Sequence, residues 1–70
     1  MKSLFETLID RLNQHGEATV QYCGLDGKIR TRLVLWGEKG TIRGNHHLII
    51  FDVDSSDYRT LRAESLISVR

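Results

Sequence analysis

The sequence predicts a mainly β fold with a single helix at its N-terminus. Apolar residues recur with a helical period up to position 15, and the period changes to two after Gly16. The later runs are short, brief turns separate them, and none of the 70 residues is proline. We therefore expect one domain, 1–70, with a helix at 3–15 packed on a small closed or half-closed barrel. Its five strands are expected at about 17–23, 28–36, 46–53, 58–62 and 66–70.

The predicted helix has start and stop signals. Ser3 followed three residues later by Glu6 has the spacing of a capping box, and Gly16 is a natural C-terminal cap. The residues between them form one broad apolar stripe. The stripe consists of Leu4, Phe5, Leu8, Ile9 and Leu12.

The first two strands are predicted to form a hairpin. Asp26-Gly27 lies between two alternating runs, and such a turn needs residues that tolerate positive φ. In the first run Ala18, Val20 and Tyr22 share a face. In the second run Ile29, Thr31, Leu33 and Leu35 share one face, and Arg30, Arg32, Val34 and Trp36 share the other.

The second half of the chain continues with short elements. A turn is expected at 37–40, and residues 41–43 fit either a short strand or an irregular link. The run 46–53 is the most apolar strand of the chain. A polar turn at 54–57, a strand at 58–62, a single helical turn at 63–65 and a closing strand follow. Closure of the sheet would remove edges that so small a domain can hardly protect otherwise.

The composition is that of an ordinary globular protein. Ten Lys and Arg against nine Asp and Glu give a formal net charge of +1, which is not the bulk charge of a DNA-coating protein. Cys23 is the single cysteine, which predicts a reducing, cytoplasmic environment. No apolar run approaches membrane-spanning length, and the start of the chain does not read as a signal peptide.

The sequence gives little support to catalysis or metal binding. His46 and His47 are neighbours on a strand and so point to opposite faces, and one cysteine offers no zinc spacing. Cys23 fits a half-buried small hydrophobe better than a nucleophile. Asp52 and Asp54 are typical of carboxylates that shape a turn. We therefore expect no enzyme activity, no metal site and no cofactor.

The arginines carry the functional signal. Arg30 and Arg32 stand side by side on one face of a strand, and Arg59 and Arg62 bracket another strand. If these strands approach each other, three or four guanidinium groups converge on a site for phosphate or carboxylate. Tyr58 and Trp36 offer flat faces on which a base can stack. The alternative is a solvated surface whose arginines are matched by Asp26, Asp54, Asp57 and Glu64.

The order of these features resembles WYL-type domains. The segment 16–23 followed by 25–31 resembles their opening hairpin. The segments 51–54, 58–62 and 65–69 resemble their closing strands, and Arg59-Thr60-Leu61-Arg62 followed by Leu66-Ile67-Ser68-Val69 is the most specific part. The chain is most similar to short, stand-alone phage proteins of this type. The Trp-Tyr-Leu signature is missing, and His47-Leu48-Ile49 occupies about its place.

The resemblance implies an Sm-like SH3 barrel with a regulatory role. It implies a phage-encoded module in the host cytoplasm that binds nucleic acid or a nucleotide-like anion. Arg59 and Arg62 would be the contacts, and Arg30 is a weaker match.

One other class of function stays open at this point. A protein-interaction module, or an inhibitor of a host protein, fits the near-neutral charge, and a homo-oligomer is compatible with either binding role. No membrane partner is expected.

Overall fold

The computed structural model describes residues 2–70, in which one helix precedes six strands. Helix α1 is Leu4–His15, and the strands are β1 (Glu17–Cys23), β2 (Ile29–Leu35), β3 (Thr41–Arg43), β4 (His47–Asp52), β5 (Asp57–Arg62) and β6 (Leu66–Val69). A 3₁₀ turn at Ala63–Ser65 joins the last two strands. The prediction of a mainly β fold with one N-terminal helix is confirmed.

Both ends of helix α1 are capped as the sequence predicts. The Ser3 hydroxyl oxygen accepts a hydrogen bond from the Glu6 N–H at 3.1 Å. At the other end Gly16 has φ +77°, and its N–H donates to the Leu12 carbonyl at 2.9 Å. An L-residue rarely adopts that φ, so glycine ends the helix here at little cost.

The strands form one antiparallel sheet. The β1–β2 hairpin pairs Glu17 with Leu35 and Cys23 with Ile29, and β6 pairs with the free edge of β1. Strand β5 pairs with the whole length of β4. On its other edge β4 pairs with β3 and then with the end of β2.

Strands β2 and β3, joined by residues 36–40, therefore pair with successive parts of the same edge of β4. The sheet has six strands where five were expected, because residues 41–43 form a short strand rather than an irregular link.

The core lies between helix α1, which packs on β1 and β6, and the inner face of the sheet. Its buried side chains come from the helix and from five of the strands. They are Phe5, Leu8, Leu12, Ala18, Val20, Val34, Leu48, Ile50, Leu61 and Leu66. The inner face continues beyond these residues on β2 and β5, where its positions are occupied by Arg30, Arg32, Asp57 and Arg59.

Candidate functional site

A cleft of about 390 Å³ opens where the inner face is no longer covered by apolar side chains. Strands β1, β2 and β5 and the turns after β1 and β4 form its walls. It is lined by Tyr22, Gly24, Leu25, Asp26, Arg30, Arg32, Asp52, Ser55 and Arg59. Three of the four predicted arginines thus lie at one site.

Strand alternation explains why these arginines converge. Arg30 and Arg32 lie four and two positions before the buried Val34 on β2, so they share its inward face. Arg59 lies opposite the buried Ile50 in the β4–β5 ladder and faces the same way. The three guanidinium groups are the polar continuation of the core face.

Arg30 is held by a carboxylate from the hairpin turn. Its Nη1 and Nη2 atoms donate to the two oxygens of Asp26 at 2.9 and 2.8 Å. The Lys28 N–H also donates to Asp26 Oδ1, at 3.1 Å. A side chain at position 24 would collide with Arg30 and Asp26, so Gly24 leaves the space that this pair occupies.

These contacts determine the charge of Asp26. The hydrogen bonds from the Arg30 guanidinium, followed by the one from the Lys28 N–H, hold the pKa of the Asp26 carboxyl well below its ordinary range. The same pair raises the pKa of Arg30. Asp26 is therefore a permanent negative charge at the rim of the cleft at any physiological pH.

Arg32 faces a buried carboxylate at the end of β4. Asp52 is 2% exposed, and its Oδ2 lies 3.6 Å from the Arg32 Nε. Asp52 Oδ1 accepts hydrogen bonds from the N–H groups of Asp54 and Ser55 at 3.0 and 3.3 Å. The turn-shaping role expected for Asp52 is thus present, and the same side chain orients an arginine of the cleft.

Arg59 differs from the other two arginines. Its side chain is exposed, and within residues 2–70 it makes no ion pair and no side-chain hydrogen bond. Because Arg30 and Arg32 already face carboxylates, Arg59 is the guanidinium group that remains available for an incoming anion. Three guanidinium groups and two carboxylates leave the cleft with a net charge of one positive.

The structure places Arg62 outside the cleft. Three positions separate it from Arg59, so the two side chains lie on opposite faces of β5. Its Nη1 donates to Glu64 Oε1 at 3.3 Å, which makes Arg62 one of the matched surface charges that the alternative interpretation described.

Tyr58 and Trp36 also lie outside the cleft. The Tyr58 ring packs edge-on against Phe51 at 5.3 Å between centroids, and its hydroxyl accepts a hydrogen bond from the Lys39 N–H at 3.1 Å. The Trp36 Nε1 donates to Asn13 Oδ1 on the helix at 3.1 Å. Trp36 is six residues from Arg30, about 20 Å along an extended strand.

The sequence reasoning missed Tyr22 and Leu25 as lining residues of the cleft. Tyr22 pairs with Arg30 because the hairpin loop spans residues 25–27, closed by the Gly24 N–H that donates to the Lys28 carbonyl at 2.8 Å. A two-residue turn at Asp26-Gly27 would pair Tyr22 with Thr31 instead, so the predicted turn did not place Tyr22 beside Arg30. Leu25, at the hairpin tip, is 91% exposed and lines the cleft beside Asp26. The two residues give the cleft an apolar wall beside its charges.

A second, more apolar groove of about 590 Å³ lies beside the N-terminal half of α1. The first turns of α1, the β3–β4 turn and the 3₁₀ turn form it. Leu4 and Ile42, which are 39% and 44% exposed, contribute its most accessible apolar surface.

Among residues 2–70, no three His, Cys, Asp or Glu side chains come together in a group that could hold a metal ion. No helix in this part of the chain has the length and apolar character needed to cross a membrane.

No protein-family model matches this chain, and no curated protein or solved structure matches it.

Proposed function

We propose that this protein is a non-catalytic module that binds a small nucleotide-like anion in the cleft of Arg30, Arg32 and Arg59. The observation that carries the proposal is the convergence of three guanidinium groups from two strands that are distant in sequence, one of them without a carboxylate partner. Guanidinium groups are suited to forked contacts with phosphate oxygens.

The shape of the cleft favours a nucleotide over a bare phosphate or a long polymer. Its volume of about 390 Å³ is at the small end of the range for ligand pockets. Tyr22 and Leu25 add an apolar wall on which a base or sugar can rest. A nucleic-acid strand, by contrast, is usually followed by a row of cations along a groove, and Arg62 and Arg43 lie outside this cleft.

Binding without catalysis fits the groups that line the cleft. Its titratable side chains are arginines, aspartates and a tyrosine, and within the described residues it contains neither histidine nor cysteine. Asp26 and Asp52 are already engaged by arginines and by backbone N–H groups, so neither is free to act as a general base.

Binding of purine and pyrimidine mononucleotides, followed by amide chemical shifts and calorimetry, tests this function. Arg59→Gln should weaken binding about tenfold or more, because it removes a charge-assisted contact. Arg43→Gln and Arg62→Gln remove the same charge outside the cleft and should leave affinity unchanged. Equal losses in all three variants, or no binding by the wild type, would contradict the proposal.

We also infer that the sheet curves into a small barrel of the SH3/Sm type and that the chain is related to WYL domains. The strand order β6-β1-β2-β4-β5, the pairing of both β2 and β3 with one edge of β4, and the 3₁₀ turn before β6 support the barrel. The hairpin at 25–31 and the segment 58–69 support the relationship. An experimental structure with a flat, open sheet would contradict the barrel.

The apolar groove favours a second candidate function, the binding of an apolar segment of another protein. Exposed Leu4 and Ile42 face a shared depression next to half-buried Ile9. Ile42→Asp should abolish such an interaction, whereas Ile67→Asp, at a residue of similar exposure outside the groove, should not. Sedimentation of the protein alone would show whether a second copy is the partner.

A further inference from the structure

The two carboxylates of the cleft suggest which nucleotides it accepts. Asp26 and Asp52 lie among the three arginines and cancel two of the three positive charges. A site evolved only to maximise phosphate affinity would not keep a carboxylate at its rim, since like charges in close contact repel a ligand.

Arg30 and Arg32 each use some of their N–H donors for contacts within the protein. Arg30 directs both terminal nitrogens at Asp26. Arg32 directs Nε at Asp52, and its Nη1 donates to the Thr31 carbonyl at 3.3 Å. Among residues 2–70, Arg59 is the guanidinium group of the cleft that has no carboxylate partner, and its fork matches the two free oxygens of one phosphate.

We propose that the cleft selects nucleotides with a singly charged phosphodiester, and that Asp26 is the residue that determines this selectivity. The inference rests on the proposed anion-binding function of the same cleft. One negative charge neutralises the single excess positive charge of the site and leaves no surplus charge next to Asp26. A terminal phosphate carries nearly two charges, and a polyphosphate carries more, so each is repelled by the carboxylates.

The geometry explains why Asp26, rather than Asp52, sets the selectivity. Asp52 is buried and its Oδ1 is used by the turn after β4, so its first role is structural. Asp26 is about half exposed at the rim and stays charged throughout the physiological range, so an entering polyanion meets it directly.

The test compares three phosphorylated forms of one purine nucleoside and of one pyrimidine nucleoside, which differ in the negative charge that they carry. Calorimetry at constant ionic strength measures the 3′,5′-cyclic monophosphate, the 5′-monophosphate and the 5′-triphosphate. The wild type should bind the cyclic diester most tightly. Asp26→Asn should improve triphosphate affinity by about tenfold relative to the cyclic diester, because the site gains one unit of positive charge.

Three further variants distinguish a change of charge from a change of structure. Leu25→Lys adds a positive charge at a highly exposed lining position and should shift the preference in the same direction, whereas Leu25→Gln should not. Glu38→Gln, in the turn after β2, makes the same charge change as Asp26→Asn outside the cleft and should leave the preference unchanged.

The outcomes separate the two proposals. If the wild type binds triphosphates most tightly and Asp26→Asn does not alter the ranking, the selectivity is overturned while anion binding stands. If none of the nucleotides binds, the function proposed for the cleft is overturned as well.

Discussion

The inner face of the sheet has two regions that differ in chemistry although they share strands. In the region under helix α1, Val34 and Leu61 are buried among apolar side chains. Two positions away on the same strands and the same face, Arg32 and Arg59 line the cleft. The difference shows that an inward-facing position becomes core only where another element covers it, and α1 covers one part of this face.

The largest expected effect comes from breaking the covered region. Leu8 is fully buried at the centre of the helix–sheet contact, and Leu8→Ala should cost about 2–5 kcal/mol. That is a large part of the stability of so small a domain. Urea unfolding would measure it. Ile29→Ala, at a position 62% exposed, is the control and should change stability by only about 0.5 kcal/mol.

A smaller effect is expected where the two regions meet, at Asp52. Asp52→Ala removes the acceptor of two turn N–H groups and the partner of Arg32, and should cost about 1–3 kcal/mol. Asp52→Asn keeps an oxygen acceptor for the turn and loses only the charge, so it should cost less. Equal losses for the two variants in urea unfolding would show that the ion pair, and not the turn, carries the stabilisation.

The N-terminal cap of helix α1 should contribute less to stability than Leu8 or Asp52. Ser3→Ala removes the hydroxyl that accepts from the Glu6 N–H and should cost about 1 kcal/mol. Ser3→Asp retains an acceptor and should be close to neutral. Thermal unfolding followed by circular dichroism would measure both. A loss as large for Ser3→Asp as for Ser3→Ala would argue against capping as the cause.

The smallest effect is expected at the rim of the cleft. Because the folded-state pKa of Asp26 is depressed, its pair with Arg30 contributes stability above the unfolded-state pKa of about 3.9 and loses it only as pH falls through the lower folded value. The Asp26 carboxyl shift, followed by NMR, should thus stay constant from pH 7 to about pH 4. In Arg30→Gln the titration should move up towards the ordinary range.

The local elements could be predicted from the sequence, whereas the convergence of the arginines could be predicted only in part. The caps at Ser3 and Gly16 and the turn at Asp26-Gly27 depend on neighbours within a few residues. The pairing of β4 with both β2 and β5, which brings Arg32 and Arg59 to one cleft, depends on contacts between distant segments. Asp52 likewise became a partner of Arg32 only through that pairing.

The separation of Arg59 from Arg62 could have been predicted from strand alternation. Arg59 and Arg62 are three residues apart, so one strand cannot present both to the same side. The positions of Tyr58 and Trp36 could not be predicted from strand alternation. Tyr58 packs over Gly37 and accepts from the Lys39 N–H, and Trp36 reaches the helix at Asn13, which are both contacts across about twenty residues of sequence.

Cys23 gives the cleft a built-in position for an optical reporter. It is the single thiol of the chain and directly follows Tyr22 on β1, so its side chain points away from the cleft that Tyr22 lines. A fluorophore attached there through a maleimide would lie on the opposite face of β1 from the proposed ligand site, at the base of the hairpin that carries Leu25 and Asp26. Ligand capture could then be followed as a change in emission without any label in the binding space.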